Sequence, residues 1–76
     1  MDIDLFVQQF TAQFSSINEE LKSDTNFWEL DEWSSLVALS VVVMIEEEYG
    51  VSLRSADVKG VRTIQELFDV VKERAQ

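Results

Sequence analysis

Cysteine, histidine and proline are absent from this chain, and glycine occurs only 2 times in 76 residues. Without Cys no disulfide staples the fold. Without Cys and His together there is no Cys–His pair, no Ser-His-Asp triad and no ordinary structural zinc site. Basic residues are scarce: 6 Lys+Arg stand against 15 Asp+Glu, for a formal charge of -9. A pI near 4.1 repels nucleic acid phosphates and anionic membrane surfaces, which disfavours both as partners. No apolar run approaches the about 20 residues of a membrane span. The longest, Leu36 to Ile45, has Ser40 inside it. The opening Met1-Asp2-Ile3-Asp4 lacks the basic start and apolar core of a signal peptide. A soluble, cytoplasmic protein without membrane insertion is expected.

Apolar residues make up 46% of the chain, with 5 Phe, 2 Trp and 1 Tyr. An acidic disordered tail would be far poorer in aromatics. The length allows one compact domain, 1–76, held together by apolar packing alone, with a monomer as the expected state. Charge is unevenly spread: residues 1–50 carry -10, with Lys22 their lone base, and residues 51–76 carry +1. Such an acidic half is read in two ways, as a solvated face or as a surface that steers basic partners. Self-repulsion among these acids predicts a fold sensitive to salt.

Ile3, Phe6, Val7, Phe10 and Phe14 recur at intervals of three and four, which predicts an amphipathic helix over 3–15 with Asp2 and Asp4 at its start. Residues 16–33 lose that period and form a long connection, with Phe27, Leu30 and Trp33 as buried pins. A calcium loop beginning at Asp24 is excluded, because its sixth position is Glu29 where an EF-hand requires Gly. A second helix over 34–50 is bracketed by Ser34 as N-cap and Gly50 as C-terminal stop. Within it Leu36, Leu39, Val42, Val43, Ile45 and Tyr49 are expected to face neighbours on more than one side. Glu46, Glu47 and Glu48 crowd its C-terminal end, where the macrodipole disfavours acid. Ser55 caps a short turn through Val58 that Gly60 ends. Thr63 and Glu66 then form a capping box that opens a last helix over 64–74. The expected fold is all-α: a four-helix bundle of three main helices and one short helix, with a long first loop.

The segment "SSLVALSVVVMIEEEYGVSL" resembles the second helix of acyl carrier proteins, in which Ser-Leu opens the helix and a Glu-rich end with an aromatic closes it. "TIQELFDVV" is similar to the last helix of that family. "FWELDEWSSL" is similar to a subset of bacterial carriers with Trp just before the modified serine. The resemblance spans the whole four-helix layout. It implies that Ser35 carries 4'-phosphopantetheine, transferred from coenzyme A by a phosphopantetheinyl transferase. The arm's thiol would hold acyl groups as thioesters and present them to partner enzymes of fatty acid, polyketide or related specialised biosynthesis. The protein would then be a carrier and no catalyst. Helix-start physics agrees with that role, since unsatisfied backbone N–H groups and the positive dipole end favour a phosphodiester there.

The residues depart from the family pattern in two places. The residue before the modified serine is usually Asp in the family and is Ser34 here, with Asp31 and Glu32 nearby. Acids usual in the first two turns are replaced by Val37, Ala38 and Ser40. Partner recognition is therefore assigned to Asp31, Glu32, Val37, Val41, Glu46 and Glu47, facing enzymes with basic docking surfaces. The altered face implies a partner set unlike that of housekeeping fatty acid synthesis. Trp33, Leu39, Val42, Ile45, Ala56 and Leu67 either line a space for the acyl chain or form ordinary core. An unmodified acidic four-helix interaction module is the alternative reading. Enzymatic use of Glu46, Glu47 and Glu48 is disfavoured, because adjacent helical residues point about 100° apart and cannot converge on one substrate.

Overall fold

The computed structural model describes residues 2–17 and 19–75. Met1, Asn18 and Gln76, which the expected domain 1–76 includes, lie outside the described residues. Among the described residues four α-helices follow in order, α1 Ile3–Thr11, α2 Ser35–Tyr49, α3 Ser55–Lys59 and α4 Ile64–Arg74, with a 3-10 turn at Phe27–Glu29. No strand occurs among the described residues, so the all-α expectation holds.

Helix α1 begins where the Asp2 carboxylate accepts the Asp4 amide at 2.9 Å. It ends earlier than the period of its Phe residues predicts, at Thr11 instead of residue 15. Thr11 Oγ1 donates to the Val7 carbonyl at 2.8 Å, and the chain then tightens, with Gln13 and Phe14 amides donating to carbonyls three residues back. The turn keeps Phe14 buried without further helix. Helix α4 carries the predicted capping box in full: Thr63 Oγ1 accepts the Glu66 amide and Glu66 accepts the Thr63 amide, both at 3.1 Å. Helix α3 starts one residue before expectation. Arg54 occupies the N-cap, Ser55 is the first helical residue, and the helix reaches Lys59. Arg54 has no acceptor atom in its side chain, so the cap is one-sided: the Asp57 carboxylate takes the Arg54 amide at 2.8 Å. Asp57 also receives both Arg74 Nη atoms, at 2.5 and 3.0 Å, which tethers α3 to the end of α4. The Arg74 side-chain hydrogen bonds, followed by the Arg54 amide, hold the Asp57 carboxyl below its ordinary range.

The core is apolar throughout, with no buried charged or polar residue among those described. Phe6, Phe10 and Phe27 are fully buried. Phe10 packs tilted against Phe27 at 5.3 Å and stacks with Trp33 at 6.0 Å. Phe6 meets Phe68 of α4 at 5.1 Å and Tyr49 of α2 at 5.7 Å, so α1 bridges the other two long helices. The long first loop is pinned as predicted, through Phe27 and Leu30 in the core and Trp33 packed against it. Backbone hydrogen bonds add to the pins. Phe27 N–H donates to Arg62 at 3.1 Å, Ile64 N–H to Thr25 at 3.2 Å, and Gln65 N–H to Ser23 at 2.8 Å. An isolated antiparallel bridge, Asn26 with Thr63, sits in this stitch. The loop is thereby fixed to the α3–α4 connection.

Candidate functional site

Ser34 adopts extended backbone and its hydroxyl accepts the Val37 amide at 3.2 Å, so it is the N-cap of α2. Ser35 follows as the first helical residue and is exposed. Both serines are exposed; the Ser34 hydroxyl is spent on the cap, and the Ser35 hydroxyl makes no hydrogen bond among the described residues. Val37 bonds to the Ser34 hydroxyl and Ala38 to the Ser34 carbonyl at 2.9 Å. The Ser35 and Leu36 amides precede these and have no intrahelical acceptor, as is general for a first turn. At the other end Gly50 takes left-handed backbone, φ 68°, and its amide returns to Glu46 at 3.0 Å.

Beside Ser35 lies a groove of about 730 Å3, walled by Trp28 and Trp33 of the loop, Ala38, Leu39 and Val42 of α2, and Leu53 and Val58 near and on α3. The polar lining consists of Ser34, Ser35, Ser55 and Lys59. Of the six residues expected to line such a space, Trp33, Leu39 and Val42 do so. Ile45 and Leu67 are fully buried in the core, and Ala56 is exposed away from the groove. Trp28, Leu53, Val58 and Lys59 are lining residues that the sequence did not reveal. Trp28 is fixed there by its indole N–H, which donates to the Val61 carbonyl at 2.8 Å, and by Arg62 over its ring at 5.6 Å. Its signal was present in sequence as an aromatic three residues before Asp31, but the pairing with Val61 is long-range.

The outward face of α2 differs from expectation. Val41 is fully buried, so it is removed from the recognition surface: helical rotation turns it into the core beside Met44 and Ile45. Val37 is half-buried and packs against the core. Leu36, Leu39 and Val43, expected to face neighbours, are 73%, 60% and 42% exposed and supply the apolar surface instead. Asp31, Glu46 and Glu47 are exposed and Glu32 is half-exposed. Glu46 accepts from the Ser52 hydroxyl at 3.1 Å and Glu48 from the Gln9 amide nitrogen at 3.4 Å. Tyr49 donates its hydroxyl to the Gln9 side-chain oxygen. Burial foremost, then Glu48 and Asp2, raises the Tyr49 phenol above its ordinary value.

This geometry accommodates a phosphodiester on a flexible arm. An exposed hydroxyl stands at the first position of a helix, the Ser35 and Leu36 amides there have no intrahelical acceptor, no carboxylate lines the groove, and the groove is apolar beyond its polar mouth. No group of three or more Asp and Glu side chains among the described residues is arranged to hold a metal. No described helix is long and apolar enough to cross a membrane.

The phosphopantetheine attachment site family matches residues 6–71. The fold is similar to that of a holo acyl carrier protein from Geobacter metallireducens solved by NMR. The TM-score is 0.75 at 21% identity, covering 95% of this chain and 83% of the other. No curated protein is similar enough to match.

Proposed function

We propose, for a chain that belongs to the phosphopantetheine attachment family and whose prosthetic group is covalent 4'-phosphopantetheine, that Ser35 bears the arm and that the protein works as an acyl carrier. The observation that carries this reading is the pairing of an exposed Ser35 with a cap supplied by its neighbour Ser34. Ser35 Oγ gives up its proton and bonds to the pantetheine-side phosphorus of coenzyme A, the pyrophosphate P–O bond breaks, and adenosine 3',5'-bisphosphate departs. The arm supplies the thiol that this Cys-free chain lacks, on which acyl groups ride as thioesters. The chain's own residues anchor, shelter and present that load, and partner enzymes make and break the bonds.

Recognition falls to Asp31, Glu32, Glu46 and Glu47, with Val37 contributing its exposed part and Leu36, Leu39 and Val43 taking the role expected of Val41. An acidic rim around exposed apolar residues suits transferase and acyl-processing partners with basic docking surfaces. The apolar first turns support a partner set of specialised acyl, polyketide or related biosynthesis.

Intact mass after incubation with coenzyme A and a broad-specificity phosphopantetheinyl transferase tests the reading. One phosphopantetheine is expected on the wild type and on Ser34→Ala, and none on Ser35→Ala. Loading of Ser35→Ala, with Ser34→Ala left bare, would move the site by one residue. A folded wild type that gains no mass would leave the unmodified acidic interaction module.

A further inference from the structure

The chain has 6 basic residues, and five of them lie outside the lining of the groove. Arg74 is bound to Asp57, Lys72 lies over the Phe68 ring at 5.8 Å, and Lys22 and Arg54 stand outside the groove lining. Arg62 sits over Trp28 at 5.6 Å and donates to the Lys59 and Val61 carbonyls at 2.9 and 3.0 Å. Lys59 is different. It is the one charged side chain lining the groove that also contains Ser35, and no carboxylate pairs with it among the described residues. Arg62 holds the Lys59 carbonyl and so fixes the end of α3 at the groove, while the Lys59 ammonium itself has no protein acceptor there.

Lys59 is exposed and is the lone cation of a groove whose other lining is apolar and hydroxyl, so an anion entering the groove meets one positive charge and no carboxylate. We propose that Lys59 binds an anionic group carried by the arm on Ser35 and thereby lays the arm along the groove against Trp28 and Trp33. This inference rests on Ser35 being the attachment residue. The anion has two sources, the phosphodiester itself or a carboxylate at the end of a loaded acyl group. In either case the ammonium meets it as a surface-facing pair, weakened by salt, which orients more than it stabilises. Lys59 is a positioning residue and takes no part in bond making.

The test uses the full chain as wild type, Lys59→Gln and Lys59→Arg, each loaded by the transferase and checked by intact mass. The readout is the pair of Trp28 and Trp33 indole N–H resonances, compared before and after loading. Loading is expected to shift them in the wild type and in Lys59→Arg, with the shift lost in Lys59→Gln and in the wild type at high salt. Apo spectra that superimpose across the three proteins separate this from a structural effect. Neutral and carboxylate-terminated acyl loads are then compared. Dependence on Lys59 already in the unloaded holo protein assigns the phosphodiester, and dependence confined to the carboxylate load assigns the cargo. Equal indole shifts in wild type and Lys59→Gln under every load would overturn the proposal while leaving Ser35 as the attachment site. Absence of added mass would overturn both together.

Discussion

Helix α4 buries Ile64, Leu67, Phe68 and Val71 along one side, opens on a complete capping box and closes with Lys72 and Arg74. Helix α2 is longer and more apolar, yet leaves Leu36, Leu39 and Val43 in solvent and ends on Glu46, Glu47 and Glu48 with no base in its last turn. In α4 every local choice agrees with the fold: caps match the dipole, and the apolar stripe matches the core. In α2 the choices conflict, since exposed leucines gain nothing from burial and acids at a C-terminus cost some tenths of a kcal/mol each. Such conflict concentrates where a chain serves something outside its own stability. The comparison thus separates a scaffold helix from a presenting helix.

Paired truncations give the largest contrast. Leu67→Ala in α4 removes a fully buried side chain and should cost about 2–5 kcal/mol in urea unfolding. Leu39→Ala in α2 should stay within about 0.5 kcal/mol. The same Leu39→Ala should slow acyl transfer to partner enzymes, and an equal stability loss at both sites would erase the distinction between the helices. Caps come next. Thr63→Ala should cost about 0.5–2 kcal/mol, read from the denaturant midpoint, and Ser34→Ala a similar amount without preventing loading of Ser35. A Thr63→Ala variant as stable as wild type would show that α4 owes nothing to its box.

The smallest effect is electrostatic and sharpens the same contrast, because the α3–α4 tether has a charge partner and the α2 acids have no base beside them. The Asp57 carboxyl is lowered from its ordinary 3.8 by Arg74 and the Arg54 amide, and that of Glu66 from 4.5 by the Arg62 and Thr63 amides. Folding therefore favours both carboxylates. Their contribution is fully present above the ordinary values and is lost as pH falls through the depressed native ones. Urea midpoints measured from pH 6 down to pH 3 should fall more steeply in wild type than in Asp57→Asn. Parallel acid limbs would remove the Asp57–Arg74 pair from the stability of the fold.

How much of this was legible in the sequence depended on how local each cause was. The Thr63 and Glu66 box, the Ser34 cap and the Gly50 stop are decided within one turn, and each was read at its observed position. The end of α1 and the cap of α3 were displaced, because Thr11 bonding back to Val7 and Arg54 bonding to Asp57 compete with propensity at single residues. The facing of α2 was not legible. Val37, Leu39, Val41, Val42 and Val43 are apolar on every side, so no period marks an inner face. The rotation is set by Phe27, Trp33, Leu53 and Val58 from distant segments. Val41 faces the core for that reason, and Lys59 reaches the groove from α3, a placement that only the packing of distant segments decides.

The stitch between Thr25–Phe27 and Arg62–Ile64 bears on the timing of assembly. It joins positions far apart in the chain, a contact that forms late because a long segment must first close. During synthesis Ser35 leaves the ribosome well before Val61, whose carbonyl holds Trp28, and before Ile64, whose amide holds Thr25. A nascent chain therefore shows its serine without the tryptophan wall beside it. Only a chain extended past Ile64 offers the finished groove, so the wall beside the serine is assembled after the serine itself has been made.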